Sequence, residues 1–458
     1  MLIWNVQYQQ KQLQVIQCKN CSGVQNQEEY MKLVLKNIGK VQNATVEING
    51  ITVIAGENDT GKSTVGKALF SVFNGFYNID KEIISEREKS IESQLALMLG
   101  SLKTFEFFNT NPSALAKEII AIAEKTKLES ELQKAIYSAI AAHNDKISAS
   151  VPEDVILTSV NHIIKVLSVP YEEILRSVLQ KKLDAEFRGQ IGNVFLEKDS
   201  SIQLVIHNEN TEVGISDNKV TGIKNPIRLN TEVIYIDDPF ILDELSEPLP
   251  RIWFGTLQFL DHRSCLQSYL NTASNASVNT FNIVDEIVAN EKFEQIYQKI
   301  STVCAGNIVK EKQSSVGYRI DNHQLDVRNM STGLKTFVIL KSLLTSGYIK
   351  ANGTIILDEP EIHLHPEWQL LFAELIVLLH KEFDLHILLN THSPYFLNAI
   401  EVYAAKYRVS DKCKYYLTEN VDKVSQIEDV TDNIEKIYSK LARPLQVLEN
   451  ERYRYDGV

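Results

Sequence analysis

The stretch "GENDTGKST", Gly56 to Thr64, has the spacing G-x-x-x-x-G-K-[ST], which can cradle phosphate. The apolar strand pattern "ITVIAG" runs into it, and "KSTVGKALFSVFNGF", with apolar spacing near 3.6, leaves it as a helix. In that setting the backbone N–H groups of Gly56, Glu57, Asn58, Asp59, Thr60 and Gly61 can surround an anion, helped by the helix N-terminus. Gly56 and Gly61 allow the close, unusual backbone path. Lys62 would reach the β- and γ-phosphates, and Ser63 would offer its hydroxyl to Mg²⁺, with Thr64 on the same turn. The alternative is a glycine turn without ligand.

Three more stretches carry usable chemistry. "TIILDEPEIHLHP" reads as a buried strand ending in two carboxylates, at the end where α/β proteins bind ligands. Asp358 would hold Mg²⁺ through water, and Glu359 would act as general base on the attacking water. Alone, the pair could equally cap the next helix. "NMSTGLKTF" places Ser331 and Gly333 at a helix start, where a hydroxyl and N–H groups face an anion; a simple N-cap is the alternative. "NTHSPYF" ends the next strand with His392, which can hydrogen-bond a γ-phosphate or the attacking water.

The elements that must position these residues divide the chain of 458 residues into several structural units. Residues 1–30 are a Gln-rich extension, and Met31 is itself a plausible start. Residues 31–80 read as strands leading into the phosphate loop and its helix. Residues 81–184 are helical and broken by Pro112, Pro152 and Pro170. Residues 185–240 return to β-structure, 241–305 read mostly as helices, and 306–458 carry a hairpin near Asn322, the remaining motifs and a charged helix over 429–452. The expected fold is α/β, a mixed sheet with flanking helices interrupted by a helical insertion.

Composition is that of a globular protein, with 44% hydrophobic and 23% charged residues, and no apolar run is long enough to span a bilayer. Five cysteines and no secretory signal fit a reducing, cytoplasmic setting. A formal charge of −12 means that nucleic acid would need a local basic groove, with Lys181-Lys182 and Lys310–Lys312 as candidates beside the ordinary reading as solvated faces. Cys18-x-x-Cys21 lacks a second pair for zinc, and His363 with His365 reads better as a loop-to-helix entry than as a metal site. Glu428, Asp429 and Asp432 read as charges at a helix start.

In order and type the four motifs resemble the ABC-type ATPase head, a P-loop NTPase, in its SMC/RecF/OLD branch. "LDEPEIHLHPEWQ" and "LLNTHSPYFLNAIE" resemble the stand-alone ATPases of bacterial anti-phage systems such as Septu, and relatives of OLD and Gabija without their TOPRIM nuclease. The resemblance implies ATP and Mg²⁺ as cofactors and a homodimer that sandwiches ATP, with a higher oligomer open. It implies Ser331 and Gly333 acting in trans on the partner head's γ-phosphate. It also implies a separate nuclease or toxin effector. The family's glutamine loop has only a weak match at Gln190. A RecF-like repair ATPase and a slow-turnover nucleotide-gated scaffold are the competing readings.

Overall fold

The computed structural model describes residues 31–100, 111–126, 128–144, 151–196, 198–207, 209–245, 261–275, 293–310 and 316–455. The extension with Cys18 and Cys21, and Lys312, lie outside them. The described chain forms two compact units.

The main unit begins with β1 (Met31–Ile38), β2 (Val41–Glu47) and β3 (Ile51–Gly56), followed by α1 (Lys62–Phe76). The chain continues through α2 (Ile79–Gly100), α3 (Pro112–Lys125), α4 (Glu129–Asn144), α5 (Glu153–Ser168) and α6 (Tyr171–Phe187). Residues 80–174 form the second unit, around Ile91, Leu95, Ile119, Ile140 and Val160. Asn111 caps α3 by accepting from the Ala114 N–H at 3.1 Å, ahead of Pro112 in the first turn, where a missing N–H costs nothing. Leu175 onward belongs to the main unit, where Leu175, Val178, Leu179 and Leu183 bury one face of α6. The helical insertion expected over 81–184 therefore ends, as a compact unit, at 174.

Back in the main unit come β4 (Ser200–Ile206), β5 (Glu209–Ser216), β6 (Lys219–Lys224), β7 (Val233–Ile236), α7 (Ile241–Glu244) and α8 (His262–Asn275). A small antiparallel sheet follows: β8 (Asn307–Lys310), β9 (Val316–Ile320) and β10 (His323–Asp326), turning at Asp321-Asn322 as expected. Then come α9 (Thr332–Thr345), β11 (Thr354–Asp358), α10 (Pro366–Phe383), β12 (His386–Thr391), α11 (Pro394–Tyr407), β13 (Cys413–Val421), β14 (Val424–Asp429), α12 (Glu435–Leu441) and α13 (Arg443–Tyr455).

Eleven strands make one mixed sheet in the order β6-β5-β4-β1-β2-β14-β13-β3-β12-β11-β7. Its working part is the parallel run β13-β3-β12-β11-β7. β3, β7, β11 and β12 are buried along their whole length, which explains their largely apolar sequences. Register then decides what meets at their carboxyl ends: Thr391 lies opposite Ala55, Asp358 opposite Asn390, and Leu357 opposite Ile236. Helix α1 lies close over β11 and β7, because a Cβ on Gly66 would come within 3.1 Å of both Ile356 and Tyr235. The expected α/β fold, a mixed sheet with flanking helices, is the observed one.

Two expectations fail. The charged helix read over 429–452 starts later than expected: Asp429 ends β14, which pairs antiparallel with β13, and helices occupy 435–441 and 443–455. Glu428 and Asp429 are thus strand-end residues, where Glu428 meets Lys436 at 2.6 Å and Asp429 accepts from the Thr431 N–H and hydroxyl. Secondly, Lys182 is no surface charge. It is 4% exposed and donates to the Asn74 carbonyl at 2.9 Å. Helical spacing with Val178, Leu179 and Leu183 carries its stem inward.

Glu374 on α10 is a tie between elements. It is buried and accepts from Lys299, Lys406 and Tyr407 at 2.6–2.7 Å. Burial works against its charge, but these three donors outweigh it and bring its pKa down to about 2. A lowered folded pKa stabilises the fold fully above the unfolded value of 4.5, and that contribution is lost as pH falls toward 2. Glu374→Gln is expected to cost about 1–3 kcal/mol at neutral pH. In urea melts the difference from the parent should shrink as pH drops below 4.5. A constant difference from pH 7 to pH 3 would refute this account.

Candidate active site

The phosphate loop leaves β3 at Gly56, and α1 follows its N-cap Gly61, whose φ of 84° suits glycine. No side chain caps α1 and no acid lies in its first turn, so its amino end is left to an anion. Thr60 is buried and shapes the loop, with its hydroxyl 2.7 Å from the Glu57 carbonyl and 2.5 Å from the Thr418 hydroxyl. Asp59, at φ 61°, is held by Lys40, which reaches its carbonyl at 2.8 Å and its carboxylate at 2.6 Å. Asn58 through Thr64, Lys40, Asp237, Asp358 and Glu359 line one cavity of about 460 Å³. Glu57 stands exposed at its edge, 4.0 Å from Lys440.

Lys62 is 4% exposed, an ammonium taken almost wholly out of water. Its Nζ donates to the Gly56 and Glu57 carbonyls at 3.1 and 2.8 Å and lies 3.1 Å from Glu359 Oε1. Glu359 sits at φ 48°, in the left-handed region. That backbone costs something for a non-glycine residue and turns the carboxylate back over the loop. His392 Nδ1 lies 3.4 Å from the same Oε1. The contact with His392, then Lys62, lowers the Glu359 pKa, and Glu359 in turn raises that of His392. Asp358 accepts from the Tyr235 hydroxyl at 2.9 Å and from Asn390 at 3.0 Å, which fixes both its oxygens. Burial and the Asp358 charge keep the Tyr235 phenol protonated, as donation requires.

The structure thus brings together Gly56 to Thr64, Asp358, Glu359 and, through Glu359, His392. Ser331 and Gly333 do not line this cavity. Ser331 occupies the N-cap position of α9 but makes no capping hydrogen bond with its side chain, so the simple-cap alternative does not account for it. Gly333 packs tightly: a Cβ there would lie 2.8 Å from the His363 carbonyl. His363 stands edge-on to Phe240. Gln190, exposed in the turn after α6, is not among the cavity residues.

Several residues escaped the sequence reading. Lys40, Tyr235 and Asp237 lie outside the stretches singled out above, and Glu361 and Asn390 lie inside two of them without having been given a role. Glu361 is 2% exposed and accepts from the Thr391 hydroxyl at 2.5 Å, and burial pushes its carboxyl pKa up. "YIDD" after an apolar run, parallel to "ILDE", was the one available signal for Asp237.

Mg²⁺ suits the donors present. The Ser63 hydroxyl and the carboxylates of Asp358 and Asp237 are hard oxygen ligands around one cavity, and Asp237 Oδ1 is buried with no donor to it. Among the described residues no group of three or more His, Cys, Asp or Glu gathers as a metal cage.

A family model of the AAA ATPase domain matches residues 31–397. The chain belongs to that family. ATP binding and hydrolysis are therefore its class of activity. Among solved structures this ATPase is similar to the SMC head domain from Thermotoga maritima, at 12% identity and TM-score 0.36, over 88% of this chain and 98% of that one. It is also similar to an Smc head bound to the C-winged helix domain of ScpA, at 14% identity and TM-score 0.39, over 87% and 97%. A third is the Smc head with an extended coiled coil, bound to the C-terminal domain of ScpA, from Pyrococcus furiosus, at 14% and 0.37, over 93% and 100%. No described helix of the ATPase is long and apolar enough to cross a membrane.

The loop's shape depends on the approach of β3 to β13. A Cβ on Gly56 would lie 2.2 Å from the Thr418 hydroxyl oxygen and 2.6 Å from its carbonyl. Gly56→Ala must push the strands apart, at about 1–3 kcal/mol, the usual cost of overpacking. A lower thermal midpoint together with weaker nucleotide binding is expected. A parental melt would show that the loop tolerates the methyl.

Proposed function

We propose that this ATPase hydrolyses ATP to ADP and phosphate with Mg²⁺ in a homodimer that sandwiches the nucleotide, and that the cycle regulates a separate effector in bacterial anti-phage defence. The observation that carries the ATPase site is the convergence of Lys62, Asp358 and Glu359 on the cavity under the phosphate loop. Lys62 binds the β- and γ-phosphates. Ser63, and Asp358 through water, would hold Mg²⁺, which would supply neutralisation of phosphate charge. Glu359 takes a proton from the attacking water as that oxygen bonds to the γ-phosphorus and the bond to ADP breaks. His392 orients Glu359 and hydrogen-bonds the γ-phosphate. The defence role is supported by the resemblance carried by residues 357–369 and 388–401, and the effector is a nuclease on another chain.

Glu359→Gln is expected to slow hydrolysis by roughly a hundredfold or more, the scale of a lost general base. It should also tighten ATP binding, because Lys62 then loses its charged partner and the γ-phosphate meets one negative charge fewer. Calorimetry and steady-state turnover measure the two. An unchanged rate would remove Glu359 from this role.

On this reading Ser331, exposed at the amino end of α9, meets the γ-phosphate of a partner head. Ser331→Arg should abolish the ATP-driven dimer in sedimentation while leaving the affinity of the monomer for ATP unchanged. In a mixture with Lys62→Ala both lesions fall on one composite site, and some activity should return if one intact site suffices. Hydrolysis at the parent rate by monomeric Ser331→Arg would refute the sandwich.

A further inference from the structure

Behind the cavity lies a buried group that no step above uses. His262, at the start of α8, is 7% exposed. Its Nδ1 lies 2.6 Å from Glu186 Oε1, and its Nε2 lies 2.9 Å from Asp237 Oδ2. Its backbone N–H donates to the other oxygen of Glu186 at 3.1 Å. The three residues come from separate stretches, α6, the end of β7 and α8. Each ring nitrogen faces a carboxylate oxygen, an arrangement satisfied when both donate.

Two routes lead from this imidazole to the cavity. Asp237 is the residue after β7, beside Asp358 by the register of Ile236 with Leu357, and both carboxylates line the cavity. The other route is Tyr235, whose ring stacks on His262 at 4.3 Å and 23° while its hydroxyl holds Asp358. Phe70 stands edge-on to both rings, at 6.2 and 6.1 Å, and limits their tilt. Glu186 has a side chain only 1% exposed, so the far end of the clamp is anchored in the core. Arg263 adds charge beside Asp237 at 3.7 Å but is chiefly engaged with Asp238 and Glu244, at 3.1 and 2.7 Å.

We propose that His262 is a positioning residue of the ATPase site: clamped by Glu186, it fixes the carboxylate of Asp237 directly and that of Asp358 through the stacked Tyr235, so that both stand ready for hydrated Mg²⁺ on the nucleotide. This rests on the ATPase reading above. It gives Asp237 a part in the site, with Oδ2 turned to His262 and Oδ1 left without a donor. The need is physical. Two adjacent carboxylates beside a polyphosphate repel it unless they are held where they accept from the ion's water shell, and ligand-orienting partners of this kind are worth about 10–100-fold in metal affinity.

The test uses the full chain as parent, His262→Gln and Asp237→Asn. ATP affinity is measured by calorimetry in EDTA and again in Mg²⁺, with thermal melts alongside. The Mg²⁺ concentration for half-maximal turnover is read separately. In EDTA neither variant should bind ATP more weakly than the parent, because the loop and Lys62 are intact, and Asp237→Asn, with one negative charge fewer beside the phosphates, should bind it as well or better. Both should lose about tenfold or more of the Mg²⁺-dependent gain and need correspondingly more Mg²⁺. His262→Gln should lose as much as Asp237→Asn or more, since it frees both carboxylates. Equal losses in EDTA and in Mg²⁺, tracking a lower melting point, would mean that His262 only supports the fold and would overturn the proposal. Asp237→Asn is nearly isosteric and sits at the cavity edge, so parental Mg²⁺ dependence in that variant overturns it even if His262→Gln does not fold. A parent that neither binds nor hydrolyses ATP would instead sink the ATPase reading itself.

Discussion

The constraint on which the site depends is the parallel register of β7, β11, β12 and β3. These strands are buried on both faces, so their side chains have no freedom to slip: a shift by one residue would exchange every side chain between two packed layers. The register puts Asp237, Asp358, Thr391 and Gly56 at one end of the sheet. Each strand end then contributes one function. β3 gives the loop, β11 the two acids, β12 the histidine, and β7 the aspartate with its clamp. The six strands from β14 outward to β6 add area and pairing but reach the cavity only through Lys40, in the turn between β1 and β2.

That register concentrates charge, and the structure manages it with fixed partners. Lys62, Glu359 and His392 compensate one another in front of the loop, while Tyr235 and Asn390 hold Asp358 from behind. Buried charges of this kind contribute little net stability, since desolvation consumes most of the attraction. Their cost is better understood as the preorganisation that a phosphate-transfer site needs.

The parts legible in sequence were those whose physics is local. The phosphate loop needs glycine at two places and a lysine at one, all within nine residues, and a fully buried parallel strand announces itself by an unbroken apolar run. Both were readable, as were Asp358, Glu359 and His392 at strand ends. What failed was set by tertiary neighbours. Asp429 ends a strand because β14 pairs between β13 and β2, although its charge suits a helix start equally well. Lys182 turns inward because Asn74 offers a carbonyl. His262, Glu186 and Asp237 meet only after folding, and no spacing in the chain relates them.

The resting geometry also bears on how binding and chemistry are ordered. Lys62 is satisfied by two loop carbonyls and Glu359, so its burial leaves no unpaired cation. On the proposed reading, a γ-phosphate that engages Lys62 must displace Glu359, and the displaced carboxylate loses a cationic neighbour while keeping His392. Its basicity rises at the moment when a water beside the phosphate needs a proton acceptor. ADP, with no γ-phosphate to press on Glu359, would leave that ion pair closer to its resting form. The same lysine would then bind the nucleotide and hold the general base back until the right nucleotide is present, which ties turnover to ATP through a single ion pair.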